Sequence, residues 1–167
     1  MHRRLAALYC VIALVMVNFS IASKERLLSE GRVIYLELAP IDPRSLMQGD
    51  YMALRYKLAA EASPSLRQDG PSSGRVVIAL DERSIGHFKR VHQGGSVASD
   101  EALLNYRVRD GMVQFGTNAF FFQERTGDRY AKARFGEFRV SSNGEMLLTG
   151  LRGESLEPLT APTSRGR

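Results

Sequence analysis

The uncharged stretch from Leu5 to Ser23 constrains this chain more than any other feature. Arg3 and Arg4 precede it, and Lys24, Glu25 and Arg26 close it. Two readings fit such a leader. A cleavable signal peptide has a basic start, a short apolar centre and a small-x-small exit, and Ser20-Ile21-Ala22 supplies that exit. A membrane anchor needs roughly 17–25 apolar residues to cross the hydrocarbon core. The apolar core from Leu5 to Val17 is long for a signal peptide, and the charges from Lys24 resemble an interfacial stop. Both favour an uncleaved anchor, although Asn18 and Ser20 weaken its outer end. Arg3 and Arg4 then stay cytoplasmic and the body lies outside, which in a Gram-negative bacterium is the periplasm. The membrane lipid around this helix is the first expected partner.

Beyond the leader the balance of residues is that of a folding domain. Hydrophobic residues make up 44% and charged residues 25% of the 167, enough to build a core. The chain has 23 Lys and Arg; setting aside Arg3 and Arg4 leaves 21 against 18 acidic residues, a net of +3. That excess is mild and forms no dense basic run, so no nucleic-acid partner is expected. The one cysteine, Cys10, lies in the leader. The body therefore holds no disulfide, no thiol nucleophile and no cysteine zinc site. No cofactor motif is legible. His87 and His92 fall on opposite faces of a strand and cannot chelate one metal locally, so no metal is expected.

Turn residues divide the body into short strands. "RVIYLEL", Arg32 to Leu38, is a strand by its β-branched and aromatic content and stops at Ala39-Pro40. "RVVIAL" and "SIGHFKRVHQ" pair as a hairpin through Asp81-Glu82-Arg83. "LLNYRVRDGMVQFGT" is a hairpin on Asp110-Gly111, a dipeptide that suits strand twist. "GEFRVSSNGEMLLTGL" is another, turning at Asn143-Gly144. Ser63 to Gly74 reads as a surface loop. Phe120, Phe121 and Phe122 read as a buried strand, and Asp128 to Ala133 as a short helix or turn. The acidic pairs Asp81-Glu82 and Asp100-Glu101 read as solvated loop residues. The expected fold is mainly β, with α+β at the margin: a transmembrane helix, then a compact antiparallel sandwich or open barrel with one or two short helices. The expected boundaries are an anchor over 1–23, a linker or helical extension over 24–31, a β domain over 32–159 and a mobile tail over 160–167.

"DPRSLMQGDYMALRY", Asp42 to Tyr56, carries the candidate site. Asp42 is a helix N-cap, Pro43 fits the first helical position, and Gly49 falls where a C-cap would. From Asp50 the period becomes two: Met52, Leu54, Tyr56 and Leu58 share a core face, and Tyr51, Ala53, Arg55 and Lys57 share the other. Asp50 can accept nearby backbone N–H groups at this corner. The residues left to meet a partner are Arg44, Ser45, Asp50, Tyr51, Arg55 and Lys57, and Tyr and Arg are the types that anchor interfaces. The expected binding residues are Arg44, Asp50, Tyr51 and Arg55. A catalytic alternative pairs Ser45 as nucleophile with a lysine base such as Lys132. "SLMQGDYMAL" is loosely similar to the Ser-x-Met and Gly-Asp pattern of signal peptidases, with a shorter spacing. Ser45 also fits the first turn of a capped helix with no chemistry at all.

"GDYMALRY", Gly49 to Tyr56, matches the signature of the GDYXXLXY family of bacterial membrane-anchored proteins in full. Gly49, Asp50, Tyr51, Leu54 and Tyr56 are its fixed positions. "LELAPIDPRSLMQ", "TNAFFFQE", "KARFGEFRV" and "LTGLR" resemble the same family, so the resemblance covers about Arg32 to Leu159. One departure stands at Arg125, where the family pattern suggests glycine. The family has no established activity. The resemblance implies a membrane anchor, an outward-facing domain and a multi-pass protein of the same membrane as partner. The expected function is thus a non-enzymatic, membrane-anchored extracytoplasmic domain. The alternatives are a Ser-Lys hydrolase or a domain that binds an envelope glycan or peptide.

Overall fold

The structure, a computed structural model, describes residues 2–39, 51–66, 71–122 and 127–159; the side chains of 2–8, 127 and 128 are left out of the description. The expected caps Asp42, Pro43 and Gly49, together with Arg44, Ser45 and Asp50, lie outside the described residues, as does the tail over 160–167.

Helix α1 runs without a break over His2–Glu30, about 43 Å at ~1.5 Å per residue. It carries the apolar leader and continues through the charged residues after it. Among the described residues, however, no helix is long and apolar enough to cross a membrane. The expected transmembrane helix is not met there, for a physical reason. Asn18 and Ser20 dilute its outer half, and Lys24, Glu25 and Arg26 close the stretch.

The body is mainly β, and its sheet curls into a half-barrel. Strands β1 (Arg32–Glu37) and β2 (Tyr51–Ala53) come first, then helix α2 (Lys57–Leu66). Strands β3 (Ser73–Leu80), β4 (Gly86–Val91), β5 (Glu101–Arg109), β6 (Met112–Phe115) and β7 (Ala119–Phe121) follow. A short helix α3 (Gly127–Tyr130) leads to β8 (Phe135–Val140) and β9 (Met146–Arg152). Pairing gives the orders β4-β3-β5-β6, β1-β8-β9 and β2-β7. Every ladder is antiparallel. A parallel bridge from Tyr35 to Ile85 joins β1 to the start of β4, which carries the curl from the three-stranded group into the four-stranded one.

The hairpin expectations hold. Asp110 and Gly111 take φ of 50° and 70°, the paired positive values a two-residue turn with strand-compatible twist requires. The β8–β9 turn is held by the Ser141 hydroxyl, which accepts the Glu145 N–H at 3.1 Å. Gly144 there has φ 88° and lies so close to β5 that an added Cβ would stand 2.9 Å from Asn105 Oδ1. Its carbonyl accepts the Asn105 N–H at 2.9 Å, which seats the turn on the sheet.

Helix α2 corrects the sequence reading. The strand period was expected to run to Leu58 and a loop to occupy Ser63 to Gly74. Instead β2 ends at Ala53, a helix runs from Lys57 to Leu66, and β3 begins at Ser73. Alanines 59, 60 and 62 favour helix, and Leu58, Ala62 and Leu66 are its buried face. The period of two misled because Met52, Leu54 and Tyr56 are indeed buried, and Leu58 falls in phase with them while opening the helical face. Pro64 is tolerated near the end, where it has no N–H to give to Ala60. The Ser63 hydroxyl donates to the Ala59 carbonyl at 2.7 Å. The helix lies against both β4 and β6, the two edges of the four-stranded sheet, and so covers its concave side. Glu61 accepts the Phe88 N–H at 3.2 Å and occupies a donor on the β4 edge.

The core gathers Ile34 and Leu36 from β1, Val76 and Ile78 from β3, and Leu104 and Tyr106 from β5. Phe115, Phe138, the signature residues Leu54 and Tyr56, and the buried face of α2 belong to it as well. Phe121 does not belong to it. Of the expected buried strand Phe120 to Phe122, Phe120 and Phe121 lie in β7, Phe122 falls just beyond it, and Phe121 is 75% exposed.

Candidate functional site

The signature residues sit on a two-stranded ribbon at the end of the sheet. Tyr51 stands opposite Phe121, Met52 opposite Phe120 and Ala53 opposite Ala119. The Tyr51 and Phe121 rings lie 5.8 Å apart, tilted by 42°, within the range of favourable aromatic pairs. Tyr51 is half-buried and Phe121 exposed, so the ribbon presents an aromatic pair to its surroundings. Immediately after it, the Leu54 N–H donates to the Asn118 carbonyl at 2.7 Å.

Leu54 and Tyr56 point the other way and are structural. Both are 4% exposed. The Tyr56 ring meets the Phe138 ring edge-on at 5.5 Å, and its hydroxyl donates to the Thr117 carbonyl at 2.8 Å. Burial pushes the Tyr56 hydroxyl well above the ordinary phenol range, so it stays protonated and remains a donor. Among the described signature positions, Leu54 and Tyr56 are therefore core anchors and Tyr51 is only half-buried.

Arg55, between them, is exposed and lines a cleft of about 490 Å³. Lys132, Arg134, Glu154 and Glu157 share that cleft, and Met52 and Leu54 contribute apolar lining. Backbone bonds fix the arrangement. Ala39 donates to the Arg55 carbonyl at 2.8 Å, Leu38 to the Arg134 carbonyl at 2.8 Å, and Arg134 to the Arg152 carbonyl at 2.8 Å. Four chain segments thus lie side by side at this end of the sheet. The structure brings Arg55 and Lys132 into one cleft, while Arg44, Ser45 and Asp50 are outside the described residues. Lys132 is exposed.

A second charged group was misread in the sequence. Glu101, expected to be a solvated loop residue, opens β5 and is 6% exposed. Arg90 grips it with two bonds, Nη1 to Oε1 at 2.6 Å and Nη2 to Oε2 at 3.0 Å. Lys89 Nζ lies 2.8 Å from Oε1, and the Ala98 N–H donates to Oε2 at 3.2 Å. The bonds from Arg90 and then Lys89 hold the Glu101 carboxyl far below the usual carboxylate range against its burial. The same carboxylate raises the Arg90 guanidinium. No local pattern announces this cluster, because its cations come from β4 and the acid from β5. The equally scattered Arg134, Glu154 and Glu157 of the cleft were missed for the same reason. Among the described residues no group of three or more His, Cys, Asp or Glu could hold a metal ion.

Neither a curated protein nor a solved structure matches the chain. A family model described as "GDYXXLXY protein" does match, from residue 13 within α1 to residue 151 in β9, and so takes in the ribbon, the buried Leu54 and Tyr56 and most of the cleft: the chain belongs to the GDYXXLXY family.

Proposed function

We propose that this chain is a membrane-anchored domain on the outer face of a bacterial membrane, non-enzymatic, which assembles there with an integral membrane protein. One observation carries the reading. Leu14, Val15, Met16 and Val17, four successive residues of α1, are 62%, 62%, 63% and 55% exposed. Four successive positions sweep the whole circumference of a helix, so the body covers no face of it, and a helix apolar all round belongs in lipid or a core. In sequence the uncharged run begins earlier still, at Leu5. Counted from Leu5 to Ser23 it is 19 residues long, within the roughly 17–25 that an anchor needs. Arg3 and Arg4 ahead of it favour a cytoplasmic N-terminus.

The end of α1 is clamped to the body, which supports a domain held against the bilayer rather than one swinging on a linker. Leu27 is 4% exposed. Lys24 pairs with Glu145 of the β8–β9 turn. Arg139 Nη1 donates to the Gly31 carbonyl at 3.1 Å. A body fixed in this way presents the Tyr51–Phe121 pair in a constant orientation, as a partner in the same membrane would require.

The test has two parts. A reporter active only outside the cytoplasm, fused after Leu159, is expected to be active; activity of a cytoplasmic reporter at that point instead would refute the orientation. A photo-crosslinking residue at position 121 is expected to capture a multi-pass membrane protein in native membranes. Capture no greater than from a crosslinker at exposed Glu82 would sink the assembly.

A further inference from the structure

We infer that the cleft lined by Arg55, Lys132, Arg134, Glu154 and Glu157 is a binding site for a zwitterionic ligand, a free amino acid or short peptide. Its carboxylate would lie on the arginines and its ammonium on Glu154. The inference is independent of the assembly proposed above. The cleft's volume, about 490 Å³, falls within the ~300–1,000 Å³ typical of small-ligand pockets. Its apolar lining comes from Leu38, Met52 and Leu54, and its rim is charged, the usual division between burial and orientation in such sites.

The charges argue for the ligand class. Ion pairs elsewhere in the described body join Lys57 to Glu37, Lys89 and Arg90 to Glu101, and Arg152 to Glu137, while other cations, Arg75, Arg107 and Arg109 among them, stand on the surface without one among the described residues. In the cleft, three cations and two carboxylates share one concavity, yet among the described residues no ion pair joins them. Glu157 is partly engaged, since its Oε2 accepts the Ser155 N–H at 2.9 Å. The Glu154 side chain has no hydrogen-bond partner among the described residues, although the Glu154 carbonyl accepts from Arg83 at 3.2 Å. A simple anion would meet Glu154 and Glu157, and a simple cation would meet the arginines; a zwitterion satisfies both. Arg55 and Arg134 are well suited to the anionic end, because a guanidinium matches a carboxylate with two parallel bonds. Their backbones pair with the adjacent residues Ala39 and Leu38, and both line the same cleft.

The test uses the full chain in detergent and isothermal titration with trialanine as the probe. The peptide is supplied with free ends, with its C-terminus amidated, or with its N-terminus acetylated. Binding of the free peptide is expected, and each blocked form should bind about tenfold more weakly, the scale of a lost charge-assisted bond. Arg134→Gln should bind the free peptide about tenfold more weakly and be indifferent to amidation; Glu154→Gln should be indifferent to acetylation. Both side chains are exposed, so both variants should fold. Three outcomes overturn the inference: no binding of the free peptide, blocked forms that lose equally in wild type and variants, or inorganic phosphate displacing the peptide as well as the peptide itself.

Discussion

The Tyr56 hydroxyl donates to the carbonyl of Thr117 at 2.8 Å, across 61 positions of sequence. That bond ties the last signature residue to the turn from which β7 departs. Thr117 in turn holds β7 in place, since its Oγ1 accepts the Ala119 N–H at 3.3 Å. The ribbon that displays Tyr51 and Phe121 is thereby fastened to the core. Tyr56→Phe keeps the ring against Phe138 but leaves a half-buried carbonyl short of a partner. Loss of such a bond typically costs ~0.5–1.5 kcal/mol. Urea unfolding should show that loss, with hydrogen exchange fastest at Tyr51 to Ala53. A variant as stable as the parent would show that the bond does not matter.

Glu101 predicts an acid-sensitive fold. Its folded carboxyl is held below its unfolded value by Arg90 and Lys89. The sign follows: a depressed carboxylate stabilises the fold fully above the ordinary range near ~4.3. The contribution shrinks as pH falls through that range towards the folded value and is gone below it. Glu101→Gln should therefore lower the melting temperature at neutral pH and flatten its fall between neutral and acid. Parallel melting curves for parent and variant across that range would refute the role.

Phe121 tests the separation of fold from assembly. It is 75% exposed, so Phe121→Ser should change stability by less than ~0.5 kcal/mol. An interface aromatic can carry ~2 kcal/mol or more, so co-purification of the membrane partner should drop steeply. Tyr51→Ala should act in the same direction. Unchanged co-purification by a folded Phe121→Ser protein would place the interface elsewhere.

Ala62 reports on how closely α2 covers the sheet. It is 0% exposed, on the face shared with Leu58 and Leu66. Ala62→Leu adds volume where there is none, and overpacking of a filled core typically costs ~1–3 kcal/mol. Thermal unfolding measures it. A neutral or stabilising result would reveal a cavity beneath the helix.

The sequence by itself determined what depends on near neighbours. The β5–β6 turn is set by Asp110 and Gly111, because the backbone of those two residues alone decides whether the chain can reverse. The burial of Met52, Leu54 and Tyr56 is legible in their alternation, and the family is legible in eight consecutive residues. Tertiary structure decided the rest. The alternation could not say that β2 would stop at Ala53, because Leu58 suits a strand face and the Leu58–Ala62–Leu66 helical face equally. Only the concave sheet gives that second face something to cover. Glu101 looked solvated because its two cations come from another strand, and a carboxylate can be buried only where such partners already stand. The cleft has the same origin: Arg55, Arg134 and Glu154 are far apart along the chain, and only backbone pairing at one end of a curled sheet sets them side by side.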